Sequence, residues 1–212
     1  MFLARKLNLI DGFKRFRQKY FVMEKDLYQS FSAVGQSPKI LLIACSDSRV
    51  DPAILFSCEP GDMFVIRNVA NLVPPYEEGG GYHGTSAAIE FAVNQLKVES
   101  VVILGHAHCG GIAALSRGEV SNDSNVFVNK WVTIADEARA KVLETHSLEN
   151  FREFCHACEQ EAILISLRNL KLFPFIQKKI EEGSLTVSGW YFDLEKGKLW
   201  EHSDKTGKFL EL

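Results

Sequence analysis

Cysteine is scarce in this chain. Five residues in 212, an odd number, are too few for a disulfide framework and leave the thiols as ligands, nucleophiles or core residues of a reducing compartment. Long apolar runs are missing as well. Nowhere do 18 apolar residues follow one another, and the opening MFLARKLNLIDGFKRFRQKYF interrupts its apolar residues with Arg5, Lys6 and Asp11, so neither a signal peptide nor a membrane span is expected. The cytoplasm is the expected location. An excess of one charge is lacking too: the formal net charge of -3 gives no electrostatic case for nucleic acid. With 46% hydrophobic and 24% charged residues the balance is that of an ordinary globular protein, which excludes disorder. No repeat, linker or low-complexity segment divides the chain, so one domain over residues 1–212 is expected.

What is present alternates in period. Residues 7 to 30 carry Leu7, Ile10, Phe13, Phe16, Tyr20, Phe21 and Leu27 at helical spacing, with Lys14, Arg15, Arg17 and Lys19 as a solvated face, which predicts an N-terminal helical arm over 1–34. KILLIAC (39–45), DMFVIRN (62–68) and ESVVILG (99–105) are short continuous apolar stretches, the pattern of strands buried on both faces. Between the last two, Ala88, Ile89, Ala92, Val93 and Leu96 have helical period, with Thr85 as the expected N-cap. Further helices are expected at about 126–143 and 149–170. The tail LTVSGWYFDLEKGKLWEH reads as a strand, a Lys196-Gly197 turn and a shorter strand. The expectation is an α/β fold: a central, mostly parallel four-stranded sheet with a C-terminal edge hairpin strand, flanked by helices.

Two of the buried strands end in reactive residues. Cys45 closes the first inside ACSDSRVDP, and GHAHCGG (105–111) closes the third. In open parallel sheets functional groups gather beyond the carboxyl ends of the strands, so adjacency of these two would bring Cys45 to His106 and Cys109. Two thiolates and one imidazole form a catalytic zinc set with the fourth tetrahedral position free. His106 and Cys109 lie three apart across a strand end and a helix start and can face one point, whereas His108 would diverge from Cys109. Gly110 and Gly111 allow close approach of a small ligand, and their amides favour a developing anion. Beside such a site, Asp47 held by Arg49 could accept a hydrogen bond from the reacting water; a surface ion pair is the plain alternative.

Other candidates are weaker. CHAC (155–158) suggests a redox pair but sits inside a helical stretch, so packing is expected; Cys58 is expected to be structural. His83, in EEGGGYHG, could ferry protons, though a loop residue is the plainer expectation. His146, His156 and His202 have no neighbouring signal.

Taken together, ACSDSRV (44–50), RNVANLVPPY (67–76), GTSAAIEFAV (84–93), GHAHCGG and CEQEAILISLRNL (158–170) resemble the β-class carbonic anhydrases, from about Phe13 to the GWYFD segment. The resemblance implies one zinc ion per chain on Cys45, His106 and Cys109, and an Asp47-Arg49 catalytic dyad. It further implies reversible hydration of carbon dioxide to bicarbonate and a proton by hydroxide formed at the metal. The chain is similar to the plant-type branch, which implies Gln36 reaching a partner subunit's pocket, pocket positions at Phe64 and Val69, and a substrate-facing amide at Gly110. The branch's pocket tyrosine falls at Phe91, which lacks the hydroxyl. Leu42 stands where the other branch keeps a tryptophan of an inhibitory bicarbonate site. A homodimer or a dimer of dimers is implied.

Two thiolates cancel the ion's charge, where a three-histidine site would leave it at full strength and bring bound water to a pKa of roughly 7. The hydration rate is therefore expected to rise as pH increases above neutral; a flat stopped-flow rate from about pH 6 to 9 would contradict this. The alternatives are a carbon disulfide or carbonyl sulfide hydrolase on the same fold, and a non-catalytic zinc-stabilised interaction domain.

Overall fold

The structure, a computed structural model, describes residues 2–79, 81–118 and 125–212, without the side chains of 2–7 and of Lys25. Gly80, in the glycine run before His83, lies outside the described residues. Two compact units are present, Met1–Ser37 and Pro38–Leu212.

The first unit is helical, as its spacing predicts, but is not one helix. α1 (Phe2–Gln18) passes through a π-turn at Lys19–Met23, and α2 (Lys25–Val34) follows Glu24, whose backbone leaves the helical region. The break lets aromatic residues on either side of it meet: Phe16 stands 5.5 Å and Phe21 4.9 Å from Tyr28, centroid to centroid. Lys14, Arg15 and Arg17 are exposed, but Lys19 is half-buried over the Tyr20 ring.

The second unit is built on a sheet in the order β2-β1-β3-β4-β5-β6. β1 (Ile40–Cys45), β2 (Met63–Asn68), β3 (Ser100–His106) and β4 (Thr186–Asp193) run parallel, and β5 (Lys198–Ser203) and β6 (Lys208–Glu211) continue antiparallel. The sheet therefore has six strands where the sequence predicts four and an edge strand. The tail strand becomes the fourth parallel member, the Gly197 turn (φ 64°) returns β5, and the four-residue β6 was too short to show a period.

α3 (Pro52–Leu55) opens on Asp51, whose carboxylate accepts the amides of Ala53 and Ile54. The predicted helix at 85–96 is α4 (Gly84–Glu90) running into a π-turn at Phe91–Gln95. Thr85 is not its cap: His83 takes that position, and the Thr85 hydroxyl accepts a bond from Asn68 Nδ2 at 3.4 Å. α5 (Gly110–Arg117) starts at the metal-loop glycines; the predicted 126–143 helix divides into α6 (Val126–Val132) and α7 (Asp136–Leu143) around a 3₁₀ turn. α8 (Phe151–Lys171) and α9 (Pro174–Glu181) complete the layers.

Alternation decides which face each strand residue covers. Leu41, Ile43, Val101 and Ile103 pack with Ile163, Leu167 and Leu170 of α8; Leu42, Ala44, Val102 and Leu104 pack on the other face with Phe56 and Trp190. α8 lies so close to the sheet that Ile163 fits only over glycine. A Cβ on Gly105 would stand 2.6 Å from Ile163 Cδ1, and one on Gly189 2.7 Å from Ile163 Cγ2. Gly105→Ala is expected to cost about 1–3 kcal/mol, because a β-branched residue in a helix has little rotamer freedom with which to yield. Thermal unfolding checks this against Gly110→Ala, where a Cβ meets nothing within 4 Å and the melting temperature should hold.

Candidate metal centre

β1 and β3 are neighbours, with Ala44 opposite Leu104, so their carboxyl ends lie side by side. This brings together Cys45, His106 and Cys109, all buried, with one donor atom of each within 4.8 Å of the others. The two Sγ atoms are 3.9 Å apart. His106 Nδ1 is 2.8 Å from the Ala107 carbonyl, which can only accept, so Nδ1 carries the proton and Nε2 keeps its lone pair. That Nε2 is buried without a hydrogen-bond partner. An orphaned lone pair facing two sulfurs is the donor set of a metal centre, and the residues fit one.

The turn between His106 and Cys109 depends on His108, whose φ is 59°. The left-handed backbone there turns the chain sharply into α5, whose N-cap is Cys109. The His108 ring points outward to Glu195, 2.9 Å from its Oε1, as its divergence from Cys109 predicts. The two glycines differ in role. A Cβ on Gly111 would lie 2.7 Å from Val69 Cγ1, so Gly111 is required by packing, while Gly110 is exposed with its surroundings open.

Asp47 and Arg49 form a tight pair. Asp47 Oδ1 accepts the Arg49 amide at 2.9 Å and Nε at 3.0 Å, and Oδ2 accepts Nη2 at 2.7 Å. Arg49 thereby holds the Asp47 carboxyl far below the ordinary carboxylate range. The carboxylate stands outside the three-residue cluster, leaving the donor set at three.

The thiols are unequal. The hydrogen bond from Cys109 holds the Cys45 thiol down at about 4 against burial, with His106 and the Asp47 amide assisting. The same bond and burial push Cys109 well above the ordinary thiol range. Burial opposes a charge on His106, but the neighbouring Cys45 thiolate outweighs burial and raises the imidazole. The metal-free site thus keeps a proton on Cys109 that an incoming cation must displace. Apparent metal affinity is expected to rise at least about tenfold per pH unit between pH 6 and 8, with acid released into weakly buffered solution. Chelator competition measures it, and a pH-independent affinity would contradict it.

The remaining candidates are spread over the chain. Val69, half-buried, follows β2, and its carbonyl accepts Trp131 Nε1 at 2.7 Å. Phe64 and Phe91 are not at the cluster. Phe64 pairs with Leu41, four residues back from the Cys45–Asn68 level, which is roughly 13 Å along the strand, and its ring lies 5.9 Å from that of Phe91. Gln36 is exposed just past α2 in the first unit. His83 lines a cavity of about 510 Å³ with Asn68, Val69, Phe127 and Trp131, and its Nε2 is 3.1 Å from the Gly79 carbonyl. Cys155 and Cys158 are buried, and burial pushes the Cys158 thiol up to about 11, as a packing role predicts. Cys58 donates to the Phe56 carbonyl; His146 meets Thr145, and His202 meets Asp204.

Sequence reasoning passed over Arg67. It lies on β2 opposite Ala44, and its guanidinium donates to the Cys45 carbonyl at 3.0 Å, to the Asp47 carbonyl at 2.7 Å and to Asp51 Oδ2 at 2.9 Å. One side chain thus fixes the loop that carries both a metal donor and the dyad. A charge at the end of an otherwise apolar strand was the available signal. Glu159, which accepts the Cys109 amide at 3.0 Å, was passed over inside α8.

A family model described as carbonic anhydrase matches residues 40–199. Beta carbonic anhydrase 5, chloroplastic, of Arabidopsis thaliana is 40% identical over 192 residues, covering 88% of this chain and 63% of that protein, so the chain spans less than two thirds of that relative. Among solved structures, the β-carbonic anhydrase CcaA matches with a TM-score of 0.92 at 33% identity, over 99% of this chain and 92% of that one. One of two tetrameric β-carbonic anhydrases from the filamentous ascomycete Sordaria macrospora matches with a TM-score of 0.70 at 30% identity, over 94% of each chain.

Proposed function

The chain belongs to the β-carbonic anhydrases, and from that premise we propose that it catalyses the reversible hydration of carbon dioxide to bicarbonate and a proton. The observation that carries the proposal is the buried Cys45, His106 and Cys109 set, with His106 Nε2 unpartnered, beside a carboxylate kept ionised by Arg49. Those three residues would hold one zinc ion per chain, which supplies Lewis acidity at an open fourth position and lowers the pKa of water bound there.

The chain's own residues do the rest. Asp47 has both oxygens turned to Arg49, but Oδ2 accepts a single bond and keeps a lone pair free, so it accepts a hydrogen bond from the attacking water and fixes its direction. The loop clamp of Arg67 holds Asp47 in register with Cys45. Gly110, exposed at the first turn of α5, presents its amide where charge grows on a substrate oxygen, and Val69 offers an apolar wall. Phe64 and Phe91, distant from the cluster of their own chain and paired with each other, suit the pocket of a partner subunit, as does Gln36.

A homodimer or a dimer of dimers follows from this division. Exposed Phe13, Tyr82 and Phe127 support it, as does the likeness to a tetrameric relative. The location we propose is the cytoplasm: all five cysteines are unpaired, and among the described residues no helix is long and apolar enough to cross a membrane.

The test is stopped-flow carbon dioxide hydration on protein whose zinc per chain has been counted, before and after chelation and after zinc is returned. Activity should follow zinc. Sulfide release from carbonyl sulfide or carbon disulfide without carbon dioxide hydration would replace this function with the sulfide-releasing one, and a zinc-loaded protein inert to all three would make the site structural.

A further inference from the structure

Behind the metal loop lies a buried carboxylate that the reaction itself does not use. Glu159, on α8, is only 4% exposed. Its Oε1 accepts the Cys109 amide at 3.0 Å, and its Oε2 accepts the Tyr191 hydroxyl at 2.8 Å. The Tyr191 oxygen in turn lies 2.8 Å from His156 Nδ1, so with Nδ1 protonated each donor in the chain His156, Tyr191, Glu159 is used once. A carboxylate so deep in the protein is kept only where hydrogen bonds satisfy it, and both of its oxygens are satisfied.

What it holds is a single peptide group. The amide of Cys109 and the carbonyl of His108 belong to the same plane, and that carbonyl accepts Arg49 Nη2 at 3.0 Å. The peptide is thus pinned at both ends, its N–H on an acid and its C=O on a guanidinium, and the same guanidinium nitrogen bonds Asp47 Oδ2. With His108 in the left-handed region, this plane has no helical or strand partner to fix its tilt. Among the described residues Glu159 is the acceptor of the Cys109 amide, which as the N-cap amide has no intrahelical one.

We propose that Glu159 is a positioning residue: by gripping the 108–109 peptide it sets where the Cys109 sulfur points and, through the His108 carbonyl and Arg49, where Asp47 stands. Tyr191 keeps the grip by occupying the far oxygen. The proposal rests on the reading that Cys45, His106 and Cys109 bind a metal, and its test separates the two.

The experiment uses the full chain, purified with zinc and, separately, exchanged to cobalt(II), whose thiolate charge-transfer and d–d absorption report ligand geometry. Glu159→Ala and Glu159→Asp both withdraw the oxygen from the Cys109 amide, the second while keeping the charge; Glu159→Gln keeps an acceptor without the charge. Loss of a residue that orients a metal ligand typically lowers metal affinity or activity about 10–100-fold. Zinc transfer to a chelator should therefore quicken about 10–100-fold in the alanine and aspartate variants, with an altered cobalt spectrum and a fall in kcat larger than any rise in KM. Glu159→Gln should stay within about threefold of the parent, and Tyr191→Phe should fall between. If the alanine variant does not fold, the aspartate variant carries the comparison. A parent chain that takes up neither metal would overturn the metal reading itself. A parent that binds both, with aspartate indistinguishable from it or with glutamine as impaired as aspartate, would overturn the role of Glu159.

Discussion

Cys45→Ala is expected to yield a folded protein with little zinc and carbon dioxide hydration reduced by at least about 10⁴-fold, close to the uncatalysed rate. Among the described residues the cluster has three protein donors, so removing one leaves two, too few to hold the ion against ordinary buffers. Cys45 is also the thiol that ionises most readily, because Cys109, His106 and the Asp47 amide all favour its thiolate. His106→Ala should do the same, since it deletes the lone pair that has no other partner. The measurement is zinc per chain by atomic emission beside stopped-flow rates. Cys58→Ala is the control: its sulfur meets only a carbonyl, and both readouts should hold. Full zinc in the Cys45 variant would remove Cys45 from the ligand set.

Asp47→Asn separates metal binding from chemistry. Zinc should stay near one per chain, while kcat falls by about 10²–10³-fold, the loss typical of removing one preorganised polar group from a reacting centre. Two changes produce it. The amide has one acceptor atom where the carboxylate has two, so either the Arg49 amide and Nε or its Nη2 faces a donor in place of an oxygen. The charge that balanced Arg49 also disappears. Arg49→Lys should be milder in kcat, because a point charge remains while the two-pronged geometry is lost. If the asparagine variant loses its zinc, Asp47 is a ligand of the ion and the open fourth position is wrong.

Much of this was readable in the sequence. Continuous apolar runs ending in Cys45 and in Gly105 announce buried parallel strands, and strand adjacency then brings the two motifs together whatever lies between them. The dyad was readable because Asp47 and Arg49 are near neighbours in sequence. Arg67 and Glu159 were not, because their value comes from whom they meet: Arg67 bonds a carbonyl 22 positions away and Glu159 an amide 50 positions away. Hydrophobic period carries no information about such pairings, and on α8 it argues against a buried acid. Phe64 and Phe91 show the opposite failure. Resemblance marked them as pocket residues but did not say whose pocket, and only the register of β2 on β1, with Phe91 packed on Phe64, places them far from their own cluster. The sheet count fell short for a local reason, since β6 is too brief to carry an alternation.

The pairing of β1 with β3 also sets an order of events as the chain folds. Cys45 and Cys109 are 64 positions apart, and they meet only once two parallel strands have aligned through a long crossover, the kind of contact that forms late because its loop must close before any pairing rewards it. A slip of β3 by one residue would turn His106 to the opposite face of the sheet. Before the strands align the ion can meet at most the local His106 and Cys109 pair, and the full set of three donors exists only in the correct register. Small zinc modules are unfolded until the metal arrives, but here the complete donor set depends on the scaffold, so tight metal uptake is expected to report a chain folded in the correct register.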